Sequence, residues 1–297
     1  MVAMKILYIA KHNSGGNQDE DAITHALASL GHTVLRVHEI RAHRITKTDA
    51  DFILFHKYEN IETLKRLGKP AVFYYFDLVD YPDPTLEGRN QTRRQWMADM
   101  LPHVAVGFCS DGDWVAKDTT GKLVHLTQGA DERMTGFGKA TDDCQPPILF
   151  TGIRNGGRTR ASFVDEMAIR YGETFRQVRT GLHGRELADA IAGAKIVVAP
   201  DGPVTDRYWS NRVYLTLGFG GFLLHPYCEK LAEHYQEGKE IVFYQSRRQL
   251  HELIRYYYEE PDVRKRIAAA GLQRTLAEHL YRHRIASLIR IVQERIL

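Results

Sequence analysis

The feature of this sequence that most constrains its fold is an alternation of short apolar runs with helical patterns, which occurs in both halves of the chain. A short apolar run bounded by turn residues is typical of a buried strand, and apolar residues spaced three and four apart are typical of a helix packed on a sheet. Because strands and helices alternate, neighbouring strands should pair in parallel with helices on both faces. The predicted strands are 5–10, 34–37, 52–55, 71–76, 104–109 and 123–126 in the first half, and 148–150, 175–178, 196–199 and 222–224 in the second.

The stretch between the two halves, residues 136–147 (GFGKATDDCQPP), contains glycines, prolines and charges without periodicity, as a linker does. We therefore predict an α/β fold of two Rossmann-like, doubly wound parallel-sheet lobes that face a cleft, over residues 1–138 and 146–297. The second lobe is predicted to include the amphipathic C-terminal helix, about 281–297. A chain of 297 residues is long enough for two such cores, and ligands of these sheets bind at the carboxyl ends of the strands.

The composition narrows the class of function. The net charge of +3 is too small to indicate nucleic-acid binding by itself, but it is compatible with an anionic ligand. The three cysteines, Cys109, Cys144 and Cys228, have no metal-ligand spacing and indicate reduced thiols in a cytoplasmic protein. No apolar run approaches the ~18 residues that a membrane-spanning helix needs, so no membrane span is predicted.

A loop in the second half has the chemistry of a phosphate site. This loop, Gly152–Arg160 (GIRNGGRTR), follows the first strand of that half and carries Arg154, Arg158 and Arg160. Glycine-rich loops offer backbone N–H groups to phosphate oxygens, and guanidinium groups add charge, although this loop matches neither the P-loop nor the G-x-G-x-x-G pattern. The alternative is a solvated basic turn. Because a second candidate anion site follows another strand of the same lobe, we favour phosphate binding.

That second candidate is YWSNRVYLTLGFGGFLLHP, residues 208–226. Ser210 is predicted to cap a helix whose first turn holds Asn211 and Arg212, where free N–H groups and the positive end of the helix dipole attract an anion. Gly220 and Gly221 follow the helix and let the backbone turn tightly and approach a neighbour. An ordinary capped helix with a glycine stop is the alternative for this stretch taken alone.

This stretch and the sequence after it, EGKEIVFYQSRRQLHELIRYYYEEPDVRKRIAAAGLQRTLAEHLYRHR (237–284), resemble the group 1 glycosyltransferases of GT-B fold, and among these the spore-maturation-type branch. In the first half, GGNQDEDAITHALASLGHTV (15–34) and HLTQGAD (125–131) are similar to the segments that open and close the first lobe of that superfamily. The resemblance is strong over 208–284 and loose elsewhere. It implies an enzyme that moves a sugar from a nucleotide donor, UDP- or GDP-linked, with the donor in the second lobe and the acceptor in the first.

The resemblance also implies roles for individual residues. Arg158 matches an arginine that approaches the donor phosphates. The segment beside the donor diphosphate is matched by Ser210, Asn211 and Arg212. The glycines near the nucleotide are matched by Gly220 and Gly221, and the cleft-facing loop of the first lobe is matched by Gly15 and Gly16. The sequence departs from the family at Arg207 and Leu215, where many members have two glutamates, the second of which contacts the donor ribose. Asp206 is the adjacent carboxylate available to replace that contact.

Three residues of the first lobe are candidates for the base that activates an acceptor hydroxyl. His12 follows the first strand beside the Gly-Gly loop, where a neutral imidazole could take the proton; an ordinary loop histidine explains the position equally well. Asp77 and Asp80 follow the fourth strand and are the rival bases.

Two kinds of sequence pattern, Asp-x-Asp and a histidine pair, are weak candidates for metal binding. The segments Asp49–Asp51 and Asp111–Asp113 have the Asp-x-Asp spacing of the other large glycosyltransferase fold, but we favour strand-flanking residues for the first and a helix cap at Asp113 for the second. His279 and His283 have the i, i+4 spacing of a zinc-binding helix, but no general-base glutamate or third ligand accompanies them, so we favour a surface pair on a helix. We therefore expect a metal-independent enzyme that needs no cofactor besides the nucleotide sugar.

Basic residues in the first lobe bear on the acceptor. They are expected in or beside loops and form two groups: Arg36, His38, Arg41, His43, Arg44 and Lys47, then Arg89, Arg93 and Arg94. Charge runs are usually solvated surface. The sharper interpretation is an anionic polymer acceptor, either a surface glycan with phosphate groups or DNA whose bases carry a hydroxyl. Two functions therefore fit the sequence: a glycosyltransferase, or a catalytically inactive nucleotide- or sugar-binding protein on the same fold, which the missing glutamates support.

Overall fold

The computed structural model describes residues 2–12, 19–136, 138, 147–178, 182, 184–200, 202 and 204–296. Its strands are β1 (Lys5–Ala10), β2 (Thr33–His38), β3 (Phe52–Phe55), β4 (Ala71–Tyr75), β5 (Val106–Cys109), β6 (Leu123–His125), β7 (Ile148–Thr151), β8 (Phe175–Val178), β9 (Ile196–Val198), β10 (Leu223–Pro226) and β11 (Val242–Tyr244). Its helices are α1 (Asp19–Ser29), α2 (Glu39–Ala42), α3 (Ile61–Leu67), α4 (Glu87–Met100), α5 (Gly112–Val115), α6 (Arg158–Tyr171), α7 (Gly184–Gly193), α8 (Arg212–Gly218), α9 (Glu229–His234), α10 (Arg247–Glu259), α11 (Pro261–Glu278) and α12 (Tyr281–Ile296).

The first of two compact units comprises Met1–Asp80, Gly88–Gln128 and Tyr281–Leu297. Its six strands are all parallel, in the order β2-β1-β3-β4-β5-β6. The order reverses between β1 and β3, which is where ligands of such sheets bind. Buried side chains of α1 and α12 pack in one core cluster with β1 and β4, and those of α3 and α4 pack in another.

The second unit comprises Tyr81–Glu87 and Gly129–Leu280. Its five strands are also parallel, in the order β11-β10-β9-β7-β8, so the order reverses between β7 and β9. Helices α6, α10 and α11 contribute to one core cluster, and α7, α8 and α9 contribute to another. The predicted fold class, two doubly wound parallel-sheet α/β units, is therefore confirmed.

The ten predicted strands lie within two residues of the observed ends, but the sequence analysis missed β11, α2, α4 and α9. Helix α4 (EGRNQTRRQWMADM) was missed because only Asn90, Trp96, Met97 and Met100 of its fourteen residues are buried, which leaves almost no apolar period to detect. Strand β11 has only three residues. The predicted location of Arg89, Arg93 and Arg94 in or beside a loop is consequently wrong, because all three lie on α4.

The prediction that the C-terminal helix belongs to the second lobe is wrong. Helix α12 lies in the first unit, where Ile285, Leu288 and Ile289 are fully buried in one cluster with Ile6 and Ile23. The amphipathic pattern of α12 fixes which face is buried, but it carries no information about which sheet that face meets. The chain also passes from the first unit to the second at Gly129, ahead of the predicted linker. None of the described helices is long and apolar enough to cross a membrane.

Candidate functional site

The carboxyl ends of β7, β9 and β10 lie at one edge of the second sheet, and a small cavity of about 30 Å³ is found there. Its lining includes residues from the loop after β9, from the segment before α8 and from the first turn of α6. The residues are Tyr81, Arg160, Ala199, Pro200, Gly202, Val204, Tyr208, Ser210, Arg212 and His225. Because β7 and β9 flank the point where the strand order reverses, this edge is the expected ligand site of the unit.

Two glycines shape the loop between β7 and α6. Gly152 and Gly157 have φ of 147° and 105°, in the region that side chains rarely adopt. A Cβ atom on Gly152 would lie 2.8 Å from Nη2 of Arg212, and one on Gly157 would lie 2.5 Å from Oδ2 of Asp83. The backbone of this loop therefore approaches one cationic and one anionic side chain more closely than any other residue would allow.

The three arginines of this loop do not act together. Arg154 donates two hydrogen bonds to Asp165, of 2.7 and 2.5 Å, so the interaction that the sequence assigned to phosphate is made with a carboxylate of α6. Arg158 is the exposed first residue of α6. Arg160 lies over Gly156, donates to Gly202 O at 3.4 Å and lines the cavity beside Arg212. The structure thus brings Arg160 to Arg212 and directs Arg154 elsewhere.

Arg212 is the central cation of the cavity. Its Nε donates to Thr151 O at 2.6 Å, its Nη1 donates to Ser210 Oγ at 3.0 Å, and its guanidinium lies 5.0 Å from the centre of the Phe150 ring. Burial, and then repulsion from Arg160, lower the pKa of Arg212 to about 9. Both oxygens that accept hydrogen bonds from this guanidinium are uncharged. Arg212 and Arg160 are thus neighbouring cations at a site where burial disfavours positive charge.

The predicted helix cap at Ser210 is wrong. Helix α8 begins at Arg212, and its cap residue, Asn211, has helical dihedral angles of −53° and −17° and makes no side-chain capping hydrogen bond. The Ser210 hydroxyl accepts from Arg212, and its carbonyl accepts from Val213 N–H. Since α8 has only seven residues, the positive charge of this segment comes from the Arg212 side chain rather than from a long helix dipole.

Gly220 and Gly221 lie away from this cavity. A helix that follows a strand runs back along the sheet, so the end of α8 reaches the amino edge, where β10 begins, about 10 Å from Arg212. Gly221 packs on α7, and a Cβ atom there would be 2.6 Å from Cγ2 of Ile191. The close approach expected of these glycines is thus made to a neighbouring helix.

His225 belongs to the cavity, and the sequence analysis missed it. It is the third residue of β10 and has 1% of its surface exposed. Its Nδ1 is 2.7 Å from Pro226 O, and burial lowers its pKa to about 4. Its position at the end of a predicted strand was the only available signal, because an isolated histidine beside a proline matches no functional motif.

At the two positions of the missing glutamates, Arg207 is exposed and Leu215 packs against the core, while Asp206 is exposed in a turn.

A carboxylate occupies the start of α6. Oδ1 of Asp83 accepts from the amide and hydroxyl of Thr85, at 2.9 and 2.6 Å, and Oδ2 accepts from Thr159 N–H at 3.4 Å. The Thr85 hydroxyl, with the amides of Thr85, Thr159 and Arg158, lowers the pKa of Asp83. Gly157, the cap residue of α6, has no side chain to satisfy these amides, and Asp83 takes that place.

Candidates for the base lie in the first unit. His12 Nε2 is 3.0 Å from Tyr8 O, Arg36 donates to its Nδ1 at 3.3 Å, and burial lowers its pKa. His12 is therefore neutral near pH 7, with the proton on Nε2. Asp77 forms ion pairs with Lys57 and, at 3.5 Å, with Arg93.

The other base candidate, Asp80, forms an ion pair with Arg94 at 2.6 Å. Gly15 and Gly16 lie outside the described residues.

The sequence analysis overlooked a buried histidine, His56. Its ring hydrogen-bonds to the Tyr8 hydroxyl and, at 2.6 Å, to Tyr74 O, and burial lowers its pKa to about 4.

The Asp-x-Asp segments have structural roles. Asp49 forms an ion pair with the Lys5 side chain at 2.5 Å, and Asp51 accepts from the Lys5 amide at 2.7 Å. The cap of α5 is Asp111 rather than Asp113 as predicted, because Asp111 accepts from Trp114 N–H, three residues on, at 3.0 Å.

The histidine pair does not share a helix. His279 ends α11 as its cap residue and is buried, whereas His283 lies in α12, so the expectation of a surface pair on a single helix is wrong. Within the ranges that the structure describes, no three His, Cys, Asp or Glu side chains are placed to hold a metal ion.

Comparison with known proteins supports the fold and gives a family match in the second half of the chain. Residues 157–290 match a family model described as glycosyl transferase-like, which is a little under half of the chain. No curated protein is detectably similar in sequence.

Several solved structures have the same fold. HepE of Anabaena in complex with UDP-glucose is 10% identical over 98% of this chain and 100% of its own, with a TM-score of 0.67. Sucrose-phosphate synthase of Thermosynechococcus elongatus is 11% identical over 98% of both chains, with a TM-score of 0.70. A glycosyltransferase of Rickettsia africae is 11% identical over 99% of both chains, with a TM-score of 0.64. At these identities the likeness shows the fold, which is the GT-B fold that the sequence predicts.

Proposed function

We propose that this protein is a glycosyltransferase that moves a sugar from a nucleotide-sugar donor to an acceptor hydroxyl. The observation that carries the proposal is Arg212, a cation disfavoured by burial and held beside Arg160 by neutral oxygens. An anion bound there would offset the unfavourable desolvation, and the diphosphate of a nucleotide sugar is such an anion. The glycosyl transferase-like match over 157–290, the complexes of HepE with UDP-glucose and UDP, and the similarity of 208–284 to the spore-maturation-type branch support the same chemistry.

The donor is assigned to the second unit, as a UDP- or GDP-linked sugar. Transfer breaks the bond between the sugar and the diphosphate, and the leaving diphosphate gains negative charge. Arg212 and Arg160, which line one cavity, are proposed to stabilise that charge, and Arg158, on the first turn of α6, is the third proposed phosphate contact. Because arginines carry this role in the proposal, the reaction is proposed to need no metal ion.

The acceptor is assigned to the first unit, with His12 as the proposed base. His12 is neutral, and its Nδ1 is the atom able to take a proton from an acceptor hydroxyl. Asp77 and Asp80 are less suited to this role because each is engaged in an ion pair with an arginine.

We propose that the acceptor is an anionic polymer, either a glycan with phosphate groups or DNA with hydroxylated bases. Support for this part comes from the exposed basic residues of the two groups: Arg41, His43, Arg44 and Lys47 of α2 and the segment after it, and Arg89 of α4. Arg36 forms an ion pair with Asp21 at 2.6 Å. Since Arg93 and Arg94 also have acidic partners, these three arginines contribute less to binding a polyanion than the sequence analysis expected.

The test is a panel of UDP- and GDP-sugars, with release of nucleoside diphosphate measured in the presence of hydroxymethylated duplex DNA, phosphate-bearing glycan or a small sugar. Arg158→Ala is expected to lower the rate about a hundredfold, as removal of a transition-state charge contact does. Arg248→Ala, an exposed arginine of α10, is the matched control and should keep the wild-type rate. Nucleotide binding without turnover of any donor would identify an inactive binding protein instead, and absence of nucleotide binding would refute the proposal.

A further inference from the structure

His225 differs from the other polar side chains that line the second-unit cavity because its remaining ring nitrogen can only accept a hydrogen bond there. Its Nδ1 lies 2.7 Å from Pro226 O, and a carbonyl oxygen cannot donate, so Nδ1 carries the ring proton. The remaining nitrogen, Nε2, keeps a lone pair. Burial first, and Arg212 in addition, lower the pKa of this histidine to about 4, so the imidazole is neutral at physiological pH.

The cavity therefore presents two kinds of group to a ligand. Arg160 and Arg212 attract negative charge, whereas His225 requires a hydrogen-bond donor. A fully ionised phosphate group satisfies only the arginines. A sugar diphosphate satisfies both, because its hydroxyl groups lie close to its phosphate oxygens along one molecule.

The cavity is large enough for a hydroxyl group at His225. Its volume of about 30 Å³ exceeds the roughly 10–15 Å³ that a cavity needs to hold one water molecule. At the two positions where many members of the resembling family have glutamates, Leu215 has no polar side-chain atom and Arg207 is a donor without acceptor atoms, so neither side chain can accept such a hydrogen bond.

Building on the proposed function, we infer that His225 is a specificity residue whose Nε2 accepts a hydrogen bond from one hydroxyl group of the bound nucleotide sugar. The hydroxyl belongs either to the transferred sugar or to the ribose. A group built to accept a hydroxyl proton discriminates strongly against a ligand that lacks the hydroxyl, since the buried acceptor is then left unsatisfied.

The experiment measures binding of UDP-glucose, GDP-glucose and their singly deoxygenated analogues, at the sugar and at the ribose, to three proteins. These are the wild type, His225→Phe, which keeps a ring but removes the acceptor, and His225→Gln, which keeps an acceptor oxygen. We expect one deoxy analogue to bind the wild type at least tenfold more weakly than its parent. The phenylalanine variant should bind parent and analogue equally, and the glutamine variant should recover part of the discrimination.

A measurement on the wild type keeps the inference testable if the variants fail to fold. In protein labelled with ¹⁵N-histidine, His225 should give an unprotonated Nε2 resonance that shifts upfield when the nucleotide sugar binds, as a nitrogen does on accepting a hydrogen bond. Unchanged discrimination in His225→Phe, or an Nε2 resonance unaffected by a sugar nucleotide that binds, would overturn the inference and leave the proposed function standing. If the wild type binds neither UDP- nor GDP-sugars, the proposed function fails, and the inference fails with it.

Discussion

Replacing Arg212 with glutamine should stabilise the ligand-free protein while weakening its binding of a nucleoside diphosphate. The pKa of this arginine falls to about 9 because burial disfavours the cation. At pH 7 the side chain is charged in both the folded and the unfolded chain, so the folded state bears the full cost, which is on the order of 5 kcal/mol. Glutamine removes the charge and keeps a polar group near Thr151 O and Ser210 Oγ.

The gain is reduced by contacts that the substitution removes. Hydrogen bonds from the guanidinium to Thr151 O and Ser210 Oγ, together with its contact with the Phe150 ring, offset roughly 3 kcal/mol. The expected net effect is a stabilisation of about 1–2 kcal/mol, or a rise in Tm of roughly 2–3 °C for a chain of this size.

Urea denaturation without ligand and calorimetric titration with UDP or GDP measure the two effects separately. Arg248→Gln is the matched control, since Arg248 lies exposed on α10 and should change neither quantity. If Arg212→Gln destabilises the free protein by more than 1 kcal/mol, or binds the nucleotide as well as the wild type does, then Arg212 is a structural residue and the argument from its burial is wrong.

Three further results are expected. Asp83→Asn should tighten nucleoside diphosphate binding severalfold in a titration, because the carboxylate that accepts from Thr159 N–H would no longer repel an incoming phosphate; weaker binding would mean that Asp83 helps the ligand instead. Activity should persist in excess EDTA, and full loss restored by manganese would refute metal independence. The pKa of His12 is lowered by burial, so if His12 is the base, kcat/KM should be level near pH 7–8 and should fall only below its ordinary pKa of about 6.5; a fall beginning above that pH would contradict the role.

A last expected result concerns stability alone. Gly221→Ala should lower the free energy of unfolding by about 1–3 kcal/mol, because its Cβ atom would lie 2.6 Å from Cγ2 of Ile191. Nucleotide affinity should be unchanged, as Gly221 lies at the opposite edge of the sheet from Arg212. If the variant loses nucleotide affinity without losing stability, as measured by the same urea and calorimetric assays, then Gly221 contributes to nucleotide binding and this reasoning is wrong.

The sequence by itself determined the fold class and which segments share the carboxyl edge of each sheet, where ligands of such folds are expected. Short apolar runs such as Phe52–Phe55 and Ile148–Thr151 fit a strand buried on both faces, and the intervening helices require parallel pairing. Parallel pairing then places every carboxyl end at one edge, so the loop after β7 and the segment around Arg212 could be assigned to one site before any contact was known.

Only the tertiary structure decided which side chains meet. Arg154 and Arg160 are equivalent in the sequence of the loop, yet one lies within 2.7 Å of Asp165 and the other beside Arg212, because pairing depends on three-dimensional distance rather than spacing along the chain. Helix α12 has a clear apolar face, but its packing in the first unit is a contact across more than 200 residues of sequence. The acceptor role proposed for His225 depends on burial and on the fixed proton on Nδ1, and both arise only when β10 is enclosed by the folded unit. Local patterns report the period of an element and its buried face, whereas charge, protonation and partners depend on which distant residues the fold brings close.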